Sequence, residues 1–150
     1  MANFPGIDRT WPLLTRLMAG HTAIYRASGG RIGRRIPGVG LPMLLLDHVG
    51  AKSGIERTSP LLYLPDGDDL VIVASKGGYP QHPAWFHNLM ANPDVAVQVQ
   101  GERLPVHARE AKPAEYDRLW KLAVAGYRGY EDYAARSKGR KIPLVVLEPR

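Results

Sequence analysis

Three polar clusters stand at the ends of apolar runs in this 150-residue chain. The first reads Gly50-Ala51-Lys52-Ser53-Gly54-Ile55-Glu56-Arg57-Thr58-Ser59-Pro60 and runs into Leu61 and Leu62. The second is Val73-Ala74-Ser75-Lys76-Gly77-Gly78, and the third is Pro83-Ala84-Trp85-Phe86-His87-Asn88. Between them they supply cations, small hydroxyls, bare backbone and a large indole. An Arg fork can bind a carboxylate or phosphate with two bonds, whereas Lys acts as a point charge. Exposed backbone amides in a glycine turn can meet an anion or a carbonyl edge. The set suits an anionic ligand that carries a flat ring.

Each cluster also has an ordinary reading. Lys52 to Arg57 can be a basic hairpin tip in solvent, and Ser75 to Gly78 a plain glycine turn. Trp85 and Asn88, three apart, can belong to a helix packed on the core. A fourth feature, Tyr127, Tyr130 and Tyr133, recurs every third residue. On a helix it is either surface packing or an aromatic wall whose phenols could donate a hydrogen bond or proton.

Conventional catalytic machinery is missing. The chain has no cysteine, which excludes thiol nucleophiles, disulfides and zinc–thiolate sites. Histidines 21, 48, 82, 87 and 107 show no metal-ligand spacing, so no metal site is expected. GxSxG is absent, the Lys52-Ser53-Gly54 run is not a Walker loop, and Gly29 to Gly33 lacks the strand that a dinucleotide fingerprint needs. The formal net charge of +6 favours an anionic partner without choosing between a coenzyme, nucleic acid and acidic lipid. No helix-turn-helix or RNA-recognition pattern stands out, so nucleic acid is not expected.

The elements that must position these clusters follow from periodicity. Helical spacing runs over Trp11–Arg26, with Thr10 as cap, Pro12 in the first turn and Ser28-Gly29-Gly30 as the stop. A basic linker, Arg31 to Gly38, follows. Strands are expected at Leu41–Val49, Thr58–Leu64 and Asp69–Ser75, with a hairpin turn at Pro65-Asp66-Gly67-Asp68 and Pro60 at a strand start or edge. A short helix should span His82–Ala91. Strands around Val95–Val99 and Leu104–Ala108 alternate strictly. Helices over Pro113–Ala125 and Tyr127–Ser137 lead to a last strand at Ile142–Leu147. The expectation is one domain over 1–150, in which 1–40 is the N-terminal helix and linker. It is mainly β with flanking helices (α+β), with about six antiparallel strands, closed into a barrel. The N-terminus lacks a leader pattern and no run is long enough to span a bilayer, so a cytoplasmic protein is expected.

In this order the motifs resemble the deazaflavin-dependent nitroreductase family. The likeness rests on Gly50-x-Lys52-Ser53-Gly54-x-x-Arg57-x-x-Pro60-Leu61, Val73-Ala74-Ser75-Lys76-Gly77-Gly78 and Pro83-x-Trp85-x-x-Asn88-Leu89-x-Ala91-Asn92-Pro93. It continues through Tyr127 to Tyr133 and Ile142 to Val146, and covers roughly 41–149. The resemblance implies a split β-barrel related to FMN-binding proteins and, as cofactor, coenzyme F420 in its reduced form. It implies an oxidoreductase that transfers a hydride to a quinone or nitroaromatic acceptor. Ala51, Lys52, Ser53, Arg57, Thr58, Ser59, Pro60, Leu61 and Leu62 would hold the coenzyme's anionic arm. Val73, Ala74, Ser75, Lys76, Ala84, Trp85, Phe86, His87 and Asn88 would line phosphate and ring, with Tyr130 near the ring.

Ser75, Tyr127, Tyr130 and Tyr133 correspond to the substrate pocket, and Ser75 or Tyr133 would assist the chemistry. Ala51 departs from the family pattern, because many relatives carry Arg there. The protein would be a monomer or homodimer, with peripheral membrane contact through the N-terminal helix. Competing readings are a split barrel that binds FMN or haem, and a basic binding module without catalysis.

Overall fold

Six antiparallel strands close on themselves in the order β1-β2-β3-β6-β5-β4. In this computed structural model residues 7–35, 39–78, 81–137 and 140–150 are described, with side chains from Arg16 onward. The strands are β1 (Met43–Val49), β2 (Glu56–Asp66), β3 (Asp69–Val73), β4 (Asp94–Val99), β5 (Glu102–Glu110) and β6 (Leu144–Pro149). The helices are α1 (Ile7–Ala27), α2 (Ala84–Ala91), α3 (Pro113–Gly126) and α4 (Gly129–Arg136).

Strand alternation divides the core into layers. Leu44 and Leu46 of β1, Ile72 of β3, Val95 and Val97 of β4, Val106 and Ala108 of β5, and Val145 and Leu147 of β6 fill the barrel. Trp85, Phe86 and Leu89 of α2 join that interior cluster. The intervening residues Val71, Val73, Leu144 and Val146 face outward and are covered by Leu119 and Ala123 of α3 and Tyr130 of α4. Met43 and Leu45 are covered by Tyr25 of α1. Strands β1, β3 and β6 are therefore apolar at successive positions because both faces are covered. In β4 and β5 outward-facing positions stay at least partly exposed, which preserves the alternation seen in the sequence.

The expected elements are present with shifted ends. Strand β2 is longer than its apolar run, starting at Glu56 instead of Thr58. Helix α1 starts at Ile7, so Thr10 and Pro12 lie inside it. The capping signal there marks neither end of the described helix. Within the linker, residues 36–38 lie outside the described residues. Pro60 is paired with Leu45 and sits inside β2, not at its start. It is tolerated because β3 pairs only with Tyr63–Asp66, which leaves one side of β2 free of a ladder at Pro60.

The end of α1 is held to the barrel by a buried tyrosine. Tyr25 is fully buried, and its hydroxyl donates to the Met43 carbonyl at 3.0 Å and accepts the Gln100 amide at 2.8 Å. Gly30 adopts a φ of 78° and donates its amide to the Tyr25 carbonyl at 2.8 Å. A Cβ at Gly30 would stand 2.3 Å from the Gln100 Cα, so only glycine permits this approach.

Tyr25→Phe leaves the buried Met43 carbonyl and the part-buried Gln100 amide without their partner. It is expected to lower the unfolding free energy by about 1–3 kcal/mol in urea. A change below a few tenths would show that the hydroxyl carries no weight there.

Candidate functional site

The barrel opens where β2 outruns β3. Residues 56–62 of β2 pair with β1 alone, because β3 ends its pairing with β2 at Tyr63 and Ile72. Along that bare side lies a cavity of about 720 Å³. Its wall is Arg57 to Leu62 of β2, and its floor includes Val73, Ser75 and Lys76. Pro83, Ala84 and Trp85 close one side, Tyr127, Tyr130 and Tyr133 the other, and Met18 and Ala19 of α1 reach its rim. The volume falls in the range of small-molecule sites, and the lining is apolar with a few polar groups.

The loop between β1 and β2 closes on itself. The Gly50 amide donates to the Ile55 carbonyl at 2.9 Å and the Gly54 amide to the Gly50 carbonyl at 3.0 Å. Ser53 accepts the Ile55 amide through its hydroxyl at 3.2 Å. Ala51, Lys52 and Ser53 are exposed and lie beside the cavity lining, not in it. The Ala51 amide donates to Asn88 Oδ1 at 2.9 Å, which ties the loop to α2. Asn88 Nδ2 lies 3.0 Å from His48 Nδ1, and His48 Nε2 lies 2.9 Å from the Ser59 hydroxyl. His48 and Asn88 are buried. Burial, then Arg57, pushes the His48 pKa down. Thr58 donates its hydroxyl to Asp47 at 2.6 Å, and Arg26 and Arg103 meet the same carboxylate.

A second anchored loop follows β3. Arg140 Nη1 donates to the Ala74 carbonyl at 3.1 Å, and Nη2 to the Ser75 carbonyl at 2.8 Å. The same guanidinium meets His82 Nδ1 at 2.8 Å. Burial and Arg140 together lower the His82 pKa. Lys76 stands at a φ of 46° and opens a single 3-10 turn, Lys76–Gly78. Gly78 has a φ of 82°, and a Cβ there would lie 2.8 Å from the Tyr133 carbonyl. The turn therefore packs directly on α4 and carries Ser75 and Lys76 toward the tyrosines.

The tyrosines form a bonded wall. The Tyr127 and Tyr133 hydroxyls are 2.8 Å apart, and the Tyr127 and Tyr130 rings meet edge to face at 4.9 Å. Burial pushes the Tyr130 pKa far above the ordinary phenol range. Burial and the bond to Tyr127 push Tyr133 up to about 12. At neutral pH both phenols keep their protons, so they are donors and not bases.

The structure thus gathers Arg57, Thr58, Ser59, Pro60, Leu61, Leu62, Val73, Ser75, Lys76, Ala84, Trp85, Tyr127, Tyr130 and Tyr133 around one space. Ala74 and Phe86 instead point into the barrel core, and His87 is exposed on α2. Asn88 bridges the loop and His48 from behind the wall. Sequence reasoning left His48, Arg140, Met18 and Ala19 unassigned. The polar Asp47-His48 pair after Met43 to Leu46 was a signal at the end of a buried strand. Arg140 carried none, because its partners are carbonyls more than sixty residues away.

With this geometry in place, known proteins supply a frame. A family model described as F420H2-dependent quinone reductase matches residues 17–149. The F420H2-dependent quinone reductase Rv1261c of Mycobacterium tuberculosis is 47% identical over 138 residues, spanning 90% of this chain and 91% of the relative. A solved structure of an F420-H2 dependent reductase (FDR-A) matches with a TM-score of 0.65 and 42% identity, covering 71% of this chain and 94% of that one. Another, described as a domain-swapped dimer, matches with a TM-score of 0.68 and 34% identity over 90% of this chain and 97% of its own.

Two imidazoles, of His48 and His82, make stability pH-dependent. Both His48 and His82 are lowered from 6.5, so below that value the unfolded chain binds more protons than the folded one. Stability is expected to fall as pH drops from 6.5 through the lowered folded values. Asp66, Asp94 and Glu115, held down mainly by Arg118, His107 and Arg109, lose their contribution only below about pH 4. Thermal unfolding followed from about pH 7 to pH 5 should show a decline that His48→Gln reduces. An identical decline in the variant would remove His48 from this account.

Proposed function

We propose, since the chain belongs to the F420H2-dependent quinone reductase family, that the cavity beside β2 is where coenzyme and acceptor meet. The protein is an F420-dependent oxidoreductase whose acceptor is a quinone, and reduced coenzyme F420 supplies the hydride when bound. The observation that carries the site assignment is the make-up of the cavity lining. Cations and hydroxyls (Arg57, Lys76, Ser59, Ser75) share one space with flat apolar groups (Trp85, Tyr127, Tyr130). That donor set fits a coenzyme with anionic groups and a planar ring.

Arg57 and Lys52 flank the β1–β2 loop and would attract the anionic arm, Lys52 from outside the lining. Ser59, Lys76 and the loop held by Arg140 would orient the coenzyme. Ala51 offers only its backbone, and that amide is already donated to Asn88. Trp85 and Val73 would pack on the ring. The acceptor would lie toward Tyr127, Tyr130, Tyr133 and Met18. A reduced acceptor gains negative charge on oxygen, and Ser75 or Tyr133 can donate a hydrogen bond to it. Tyr133, kept protonated by its pKa of about 12, is suited to that donation and not to proton removal.

The same apolar wall would accept nitroaromatic rings as well as quinones. Peripheral membrane contact is supported by α1, where Leu17 and Ile24 are exposed beside basic residues while Met18 and Ala19 reach the cavity rim. No described helix is long and apolar enough to cross a membrane. Exchange of an element between two copies, as in the domain-swapped relative, would make the homodimer, and light scattering distinguishes it from the monomer.

Titration with coenzyme F420, with FMN and haem as controls, tests the assignment. Arg57→Ala is expected to weaken coenzyme binding about tenfold or more, as loss of a charge-assisted bond does, and increasingly so at low salt. Tyr133→Phe should leave that affinity in place and lower kcat with menadione roughly tenfold. Unchanged coenzyme affinity in Arg57→Ala, or preferential binding of FMN or haem, would refute the assignment.

A further inference from the structure

One buried titratable group plays no part in the assignment above. His48 is buried at the edge of the cavity lining, and both its ring nitrogens face hydrogen-bond partners. The polarity of that arrangement is fixed from one end. A backbone amide can only donate, so the Ala51 amide requires the oxygen of Asn88 as its acceptor, at 2.9 Å. The nitrogen of Asn88 is therefore the atom that faces His48 Nδ1, at 3.0 Å. An amide nitrogen donates only, so Nδ1 must be the unprotonated nitrogen of the ring. The ring proton then sits on Nε2 and is donated to the Ser59 oxygen, 2.9 Å away. Ser59 lines the cavity, and its hydroxyl makes no other hydrogen bond among the described residues. Since it accepts from His48, its own hydrogen is left to point elsewhere.

We infer that His48 is a positioning residue: the chain Ala51–Asn88–His48–Ser59 runs in one direction and turns the Ser59 hydroxyl into a donor aimed into the cavity. Its target would be an acceptor oxygen of the bound coenzyme, in the phosphate or in a ring carbonyl. This rests on the coenzyme reading above. The relay joins three elements beside the cavity, since β1 carries His48, β2 carries Ser59 and α2 carries Asn88. It also couples the β1–β2 loop to the same donor. The lowered His48 pKa agrees with a neutral ring, and protonation of Nδ1 would set two donors face to face.

Two measurements test this. The first needs no coenzyme. Nitrogen-15 NMR of the imidazoles at neutral pH should show His48 neutral, with its proton on Nε2. An Nδ1–H tautomer or an imidazolium would overturn the relay. The second titrates coenzyme F420 into the wild type and variants. Ser59→Ala and His48→Phe should each weaken binding by about three- to tenfold, the scale of one neutral hydrogen bond. In His48→Gln, whose amide can accept from Asn88 and donate to Ser59, most of that affinity should return. Wild-type affinity in Ser59→Ala, or a His48→Gln loss equal to that of His48→Phe, would refute the proposal. A loss seen with F420 but absent with a phosphate-free deazaflavin would place the acceptor oxygen in the phosphate. An equal loss with both would place it in the ring. A wild type that binds no coenzyme while His48 keeps the Nε2 proton would overturn the coenzyme reading, and with it the target of Ser59, but not the polarity of the relay.

Discussion

The site depends on a mismatch in strand length. Strand β2 has eleven residues and its neighbour β3 has five, so the ladder between them covers only the far end of β2. A barrel with full pairing there would close its wall and leave side chains only inside or outside. Here seven residues of β2 keep one partner, and their free side becomes the wall of a cavity. Pro60 belongs in that stretch for the same reason, since it brings no amide that the missing ladder would have used.

A half-paired strand needs other anchors. The structure supplies polar ones on the wall side and apolar ones beyond. His48 and Asn88 brace β2 and the loop before it from within. Arg140 holds the carbonyls of Ala74 and Ser75 where β3 ends. On the far side Tyr127 and the tyrosines of α4 pack against each other, and α4 packs against the Lys76–Gly78 turn. Buried polar groups of this sort are costly when half satisfied, and here each known member has a partner. The result is a preorganised pocket in which binding does not have to order the loops first.

Much of the architecture was legible because the apolar pattern is strong. Val95 to Val99 and Leu104 to Ala108 alternate since only one face is covered, and Gly67 marks the turn between β2 and β3 with its φ of 61°. Element ends were less legible. The extension of β2 back to Glu56 rests on pairing with Val49, and no apolar run announces it. Helix α1 likewise runs through the cap signal at Thr10. Within the site, residues grouped in short motifs could be found as groups. Their individual directions could not: Trp85 and Phe86 both join the barrel core, but only Trp85 also lines the cavity.

By itself the sequence determined the six strands, the excluded chemistries and the three clusters, because period, composition and motif order are local properties. Through its motifs it also pointed to the coenzyme. Only the tertiary structure decided which side chains share a space and which way their hydrogen bonds run. His48 illustrates the difference: its partners lie 11 and 40 residues away, and its proton is fixed by a backbone amide on another loop. Such a role follows from three-dimensional closure of the barrel, which brings β1, β2 and α2 together, and from the single direction in which an amide can donate.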